Sequence, residues 1–135
     1  MVFVDSNVWL YAFLPPIGDP KRERAISIVA RNDLIVSPNV INEVSRVLLR
    51  KGQMPEDDLQ SVIGEFYLRC SIITLEEADL VHASKLRKRY ACSFWDSLHV
   101  SAALKANASE LLSEDMHDGL VVEGRLKIVN PFKDV

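Results

Sequence analysis

Cysteine is scarce in these 135 residues. Cys70 and Cys92 are the only two, and they form no CxxC pair. That excludes a disulfide framework and a thiolate zinc site, and leaves both thiols as small buried hydrophobes in a reducing compartment. No apolar run reaches the roughly eighteen residues that a membrane span needs. The N-terminus has neither a basic stretch nor a small-residue cleavage site, so the expectation is a cytoplasmic protein with no membrane role. Positive charge is not in excess: 16 Lys and Arg against 19 Asp and Glu leave a net charge of −3. Nucleic-acid binding through bulk charge is therefore excluded, and any such activity must come from a local site. Repeats, low-complexity tracts and linkers are also missing. With 48% hydrophobic residues, residues 1–135 read as a single domain that buries about two-thirds of its unfolded surface.

Helical patterns alternate with short apolar runs. "MVFV" at the start is β-branched and aromatic with no polar alternation, which predicts a strand buried on both faces. "DPKRERAISIVAR" has Asp19 as a cap and Pro20 at the first helical position, with Ala25, Ile28 and Val29 on its apolar side. "LIVS" reads as a second strand. Ser37 and Pro38 open a helix with the stripe Val40, Ile41, Val44, Val47 and Leu48, ended by Gly52. Pro55 opens the next helix, and "SIITL" reads as a third strand. Thr74 with Glu77, and Ser93 with Asp96, have capping-box spacing at two further helix starts. "SELLS" and "LKIVN" supply the last two strands. Strand and helix in alternation predict an α/β fold: a three-layer sandwich with a short, mostly parallel central sheet flanked by helices.

Ligands of open parallel sheets bind beyond the carboxyl ends of the strands, and Asp5 follows the first strand while Asp115 follows the fourth at that edge. Glu43 lies beside the apolar stripe of its helix rather than among Arg46, Arg50 and Lys51, where a solvated acid would sit more comfortably. A desolvated carboxylate needs a cation or a metal. Each acid also has an ordinary reading: Asp5 as an Asx-turn, Asp96 as a helix cap, Asp115 as a loop aspartate. Capping alone does not require all of them to fall on one sheet edge.

The segments "FVDSNV", "INEV", "SFWDSLHVSAAL" and "LLSEDMHDG", in that order between residues 3 and 119, resemble the PIN-domain nucleases, and in particular the stand-alone toxins of VapBC toxin–antitoxin pairs. The resemblance implies metal-site roles for Asp5, Glu43, Asp96 and Asp115, a fifth acid in Asp118, and supporting polar roles for Asn7 and Ser113. It also implies RNA as substrate with 5′-phosphate and 3′-hydroxyl products, a homodimer, and a cognate antitoxin with a segment crossing the active-site groove. The residues point the same way: four converging carboxylates call for a hard divalent ion, and without histidine or thiolate ligands that ion is Mg²⁺ or Mn²⁺ rather than zinc.

The histidines read differently. His99 shares a helical stripe with Trp95, Leu98, Ala102 and Ala106 and is expected to be a packed core or interface residue; His82 is ordinary helix surface and His117 a loop residue. Lys85, Arg87, Lys88 and Arg89 end a helix, where cations complement the dipole, or else track RNA. A haloacid-dehalogenase phosphatase would need an aspartate at Asn7, and a receiver domain a lysine ending its last strand, where Lys127 precedes Ile128 and Val129. The remaining alternative is a PIN-like domain that binds RNA or protein without cutting.

Overall fold

The computed structural model describes residues 1–135. β1 (Val2–Val4) is buried at every position, as an apolar run without alternation requires. β2 (Leu34–Val36), β3 (Ser71–Ile72), β4 (Glu110–Leu112), β5 (Val121–Val122) and β6 (Leu126–Val129) complete one sheet in the order β3-β2-β1-β4-β6-β5. All pairings are parallel except β5 with β6. The chain moves outward from β1 through β2 to β3, then returns to add β4 on the other side of β1. That reversal opens a crevice between the carboxyl ends of β1 and β4.

The helices are α1 (Ser6–Phe13), α2 (Pro20–Val29), α3 (Pro38–Arg50), α4 (Glu56–Arg69), α5 (Glu77–Tyr90) and α6 (Phe94–Lys105). α1 packs with α2 and α3, and α3 with α4, while α5 and α6 form a separate pair. The expected three-layer α/β sandwich is the observed architecture. No helix is long and apolar enough to cross a membrane.

Local signals set most boundaries. Asp19 accepts from the Lys21 amide at 2.7 Å to start α2, and Ser37 accepts from Val40 to start α3. Two expectations change. α5 starts two residues later than Thr74 implies: the Glu76 amide donates to Asp79 at 2.8 Å, and Asp79 is fixed there by Lys105 of α6 at 2.7 Å. A tertiary ion pair thus selects the cap. The strand expected over "SIITL" stops at Ile72, because after the Ile73 amide donates to Val36 the chain leaves the sheet edge. β5 carries no signal of its own in two residues; its hairpin turns at Glu123 and Gly124, both in the left-handed region.

Aromatic packing fixes α1, which carries two site residues. Trp9 donates to the Val4 carbonyl at 3.2 Å and meets Phe66 of α4 edge-to-face at 4.7 Å, with both rings buried. Phe66→Ala is expected to cost about 3–5 kcal/mol in urea denaturation. A loss under about 1 kcal/mol would show that α4 does not hold α1 in place.

Candidate metal centre

Asp5 ends β1 and caps α1, and its side chain is almost completely buried. Its amide donates to the Leu112 carbonyl of β4 at 3.0 Å, which places it at the crevice between the two strands. Oδ1 accepts from the Ser6 amide at 2.7 Å, and Oδ2 from Ser113 Oγ at 2.7 Å and Asn7 Nδ2 at 3.3 Å. Both oxygens are therefore oriented before any ligand arrives.

Asn7 joins the two strand ends. Its Nδ2 reaches Ser113 Oγ and Asp115 Oδ2, each at 3.2 Å, and its Oδ1 accepts from the Glu114 amide at 3.1 Å. Ser113 is fully buried and its Oγ also accepts from the Asp115 amide. The loop after β4 is thereby locked to the first turn of α1, with Asp115 beside Asp5. Glu114 adds a second tie through Lys21 and the Tyr11 hydroxyl, the latter at 2.5 Å.

Glu43 comes in from α3. Ser6 Oγ donates to its Oε2 at 3.0 Å, and His99 Nε2 lies 2.8 Å from its Oε1. The same Nε2 is 3.7 Å from Asp5 Oδ1. Ligand atoms of Asp5, Glu43 and His99 all fall within 4.8 Å of one another. His99 is buried in α6 and its ring tilts against Phe3 of β1, so the expectation of a packed core histidine holds as far as burial goes. What that reading missed is its place between two carboxylates. The signal was there: His99 follows Asp96 by three residues, which puts both on one face of α6. Ser6 was missed as well, though it sits between the two candidates Asp5 and Asn7.

Asp96 occupies the third position of α6. Ser93 Oγ accepts from its amide at 3.2 Å, but its carboxylate makes no return bond, so only half of the expected capping box forms. Asp96 lines a cavity of about 270 Å³ that Asp115 also lines. Asp118 is placed differently. It accepts from the Asn130 amide at 2.8 Å and from Lys133 at 3.1 Å, and so braces the chain after β6 instead of joining the other acids. His117 lines the cavity. His82 pairs with Glu123 at 2.7 Å, tying α5 to the β5–β6 hairpin.

Burial raises the Asp5 pKa despite His99 nearby and the bonds from Ser113 and Ser6. Burial also opposes the charged form of His99, but Glu43 and Asp5 outweigh it and raise the imidazole pKa; the Glu43 pKa is lowered by its bond and attraction to His99, against partial burial. The donor set suits a divalent cation: hard carboxylate oxygens, with the His99 imidazole, whose charged form Glu43 and Asp5 favour, between Asp5 and Glu43. Glu43's contribution to stability is complete above its ordinary pKa near 4.5 and fades as pH falls through the lowered value. His99's contribution is complete below about 6.5 and is lost as pH rises through the raised value. In EDTA the melting temperature is therefore expected to fall on the alkaline side of 6.5, and the fall to flatten in His99→Gln. Parallel wild-type and mutant curves would contradict this role.

The profile of the PIN domain family matches residues 2–117. No curated protein sequence matches the chain at a significant level. Among solved structures, a toxin–antitoxin complex from Klebsiella pneumoniae aligns with a TM-score of 0.74 at 16% identity, covering 98% of each chain. Mycobacterium tuberculosis VapC20, described as a toxin that cleaves the sarcin–ricin loop, aligns at 0.65 and 17% identity over 82% of this chain and 87% of its own. VapBC2 from Rickettsia felis, bound to a promoter DNA fragment, aligns at 0.63 and 19% identity over 96% of this chain and 100% of its own. These likenesses concern the fold. The family match over most of the length, on the strand order and acid placement described above, makes this chain a member of the PIN domain family.

Proposed function

We propose that this protein is a metal-dependent endoribonuclease and the toxin of a toxin–antitoxin pair. The observation that carries the reading is the convergence of Asp5, Glu43 and His99 within 4.8 Å, with Asp115 bound to the same asparagine that holds Asp5. Family membership supports a nuclease. RNA as substrate is supported by the sequence resemblance and by the activity printed for the mycobacterial neighbour. A cognate antitoxin is supported by the Klebsiella neighbour, solved as a toxin–antitoxin complex.

Asp5, Glu43, Asp96 and Asp115 are the residues that would hold Mg²⁺ or Mn²⁺. Bound there, the ion supplies Lewis-acid polarisation of a phosphodiester and a water of lowered pKa. The chain's own residues prepare the place. Ser6 and Ser113 orient the carboxylates of Glu43 and Asp5, and outer hydrogen bonds of this kind tune ligand position. Asn7 sets the distance between Asp5 and Asp115 by bonding both. His99 sets its Nε2 against Glu43, and its protonated form, which Glu43 and Asp5 favour, limits repulsion among the acids in the cation-free protein. Asp118, bound to Asn130 and Lys133, is the weakest candidate for a ligand.

Purified protein is expected to cleave single-stranded RNA with Mg²⁺ or Mn²⁺ and to lose cleavage in EDTA. Activity that survives chelation would sink the metal mechanism; no cleavage with either ion would favour the alternative of a non-catalytic PIN-like binding module. Asp96→Asn is expected to reduce cleavage by at least about a hundredfold, beyond what loss of an outer hydrogen bond costs. Its melting temperature should barely change, since Ser93 is the cap. Asp5→Asn should stabilise the metal-free protein by removing a desolvated charge, yet shrink the stabilisation from Mn²⁺, which is about 2.7 kcal/mol at a hundredfold excess over Kd. A full Mn²⁺ shift in that mutant, seen by scanning calorimetry, would mean Asp5 is a turn residue only.

A further inference from the structure

Two large aromatic side chains stand out in solvent immediately before Asp96. Phe94 is 54% exposed and Trp95 61% exposed, and their rings form an edge-to-face pair with centroids 5.2 Å apart. Neither ring belongs to the hydrophobic core. Leaving this much aromatic surface in water has a cost of hydration that a folded chain normally avoids by burial. The first turn of α6 needs neither ring, since Ser93 caps it.

The surroundings are cationic. α5 ends at Tyr90, and Ala91, in the left-handed region, turns the chain back into α6. This corner brings the end of α5 against the start of α6. Arg87 is held there by a 2.6 Å bond to Ser97 Oγ, with its guanidinium 4.8 Å from the centre of the Phe94 ring. Lys85, Lys88 and Arg89 lie exposed on the same last turns of α5, and none of the four cations has a carboxylate partner within 4.0 Å. In a chain of net charge −3, four cations without a carboxylate partner at the end of α5, one of them against the Phe94 ring, are a local departure from the whole.

We propose that Phe94 and Trp95, with Arg87 and the other cations ending α5, form a platform on which bases of single-stranded RNA stack as the strand approaches the cavity that Asp96 and Asp115 line. The proposal rests on the reading of RNA as substrate. Ring faces take bases of any sequence, and arginine and lysine take the phosphates between them. The rings do not line the cavity themselves, but Ser93 before them and Asp96 after them both do, together with Asp115. A protein partner would fit the other exposed apolar surface better. There, in the apolar groove lined by Phe13, Val62 and Phe66, Arg69 is bound to the Val29 carbonyl and Arg31 to Asp33, so no free cations remain beside it.

The chain's two tryptophans make the test specific, because Trp9 is buried and Trp95 is not. Titrating an oligouridylate of about ten nucleotides in EDTA is expected to quench the exposed tryptophan emission. Trp95→Ala should weaken binding by roughly 5- to 150-fold, the range for loss of one stacked base, and Trp95→Phe should restore most of it. Phe94→Ala should weaken binding as well. Unchanged affinity in both alanine variants would overturn the platform. So would sedimentation showing that they dissociate a dimer while RNA affinity is kept, since the rings would then serve contact between copies. Calorimetry with Mn²⁺ on the same variants separates the two readings. An intact Mn²⁺ shift and intact cleavage with unchanged RNA binding overturns the platform alone. Tryptophan quenching in a protein that neither binds Mn²⁺ nor cleaves supports the platform and overturns the catalytic reading.

Discussion

A carboxylate taken out of water at the tip of a buried strand must be held, and the hold on Asp5 organises this structure. Its two oxygens accept from Ser6, Ser113 and Asn7, and the imidazole of His99 stands 3.7 Å away. Those four partners come from the first turn of α1, the end of β4 and the middle of α6. Satisfying one buried charge therefore requires three elements to be in register. The hydrogen bonds stabilise the ionised form and burial opposes it; burial dominates, so the Asp5 pKa is raised. That residual cost is what a cation in the crevice would offset.

The sheet supplies the place for this. Because β4 returns to the far side of β1, the carboxyl ends of two strands distant in sequence lie side by side, bridged by the bond from the Asp5 amide to Leu112. Asn7 turns that proximity into fixed geometry by bonding Asp5, Ser113 and Asp115 with one amide group. On the opposite side α3 and α6 deliver Glu43 and His99 as a pair. The two pKa shifts of that pair agree in sense, each partner favouring the charged form of the other.

Much of this was legible in the sequence where the physics is local. The unbroken apolar run of β1, Asp19 before Pro20 and Ser37 before Pro38 announce their elements by propensity and capping. The strand-edge rule then places Asp5 and Asp115 together from topology alone, and Glu43 betrays itself by sitting beside an apolar stripe. Less legible were contacts that depend on which way a side chain points across the fold. His99 reads as core by periodicity, and its burial bears that out, but its Nε2 contact with Glu43 depends on the fold bringing α3 and α6 to the same crevice. Asp118 looks like one more acid of the loop until the return of the chain after β6 gives it Asn130 and Lys133 as partners. The α5 cap moved because Lys105, on another helix, holds Asp79. Two-residue β5 lies below the length at which any pattern can be read.

When protonated, His99 places positive charge beside Asp5 and Glu43, where a divalent ion would also act. The two should therefore compete, and proton counting upon Mn²⁺ binding tests this directly. Isothermal titration of Mn²⁺ in buffers of different ionisation enthalpy, at a pH where His99 is protonated, is expected to show release of a proton, and His99→Gln should lose that release while still binding the ion. Binding of Mn²⁺ with no proton released from the wild type, or an equal release from His99→Gln, would contradict the account.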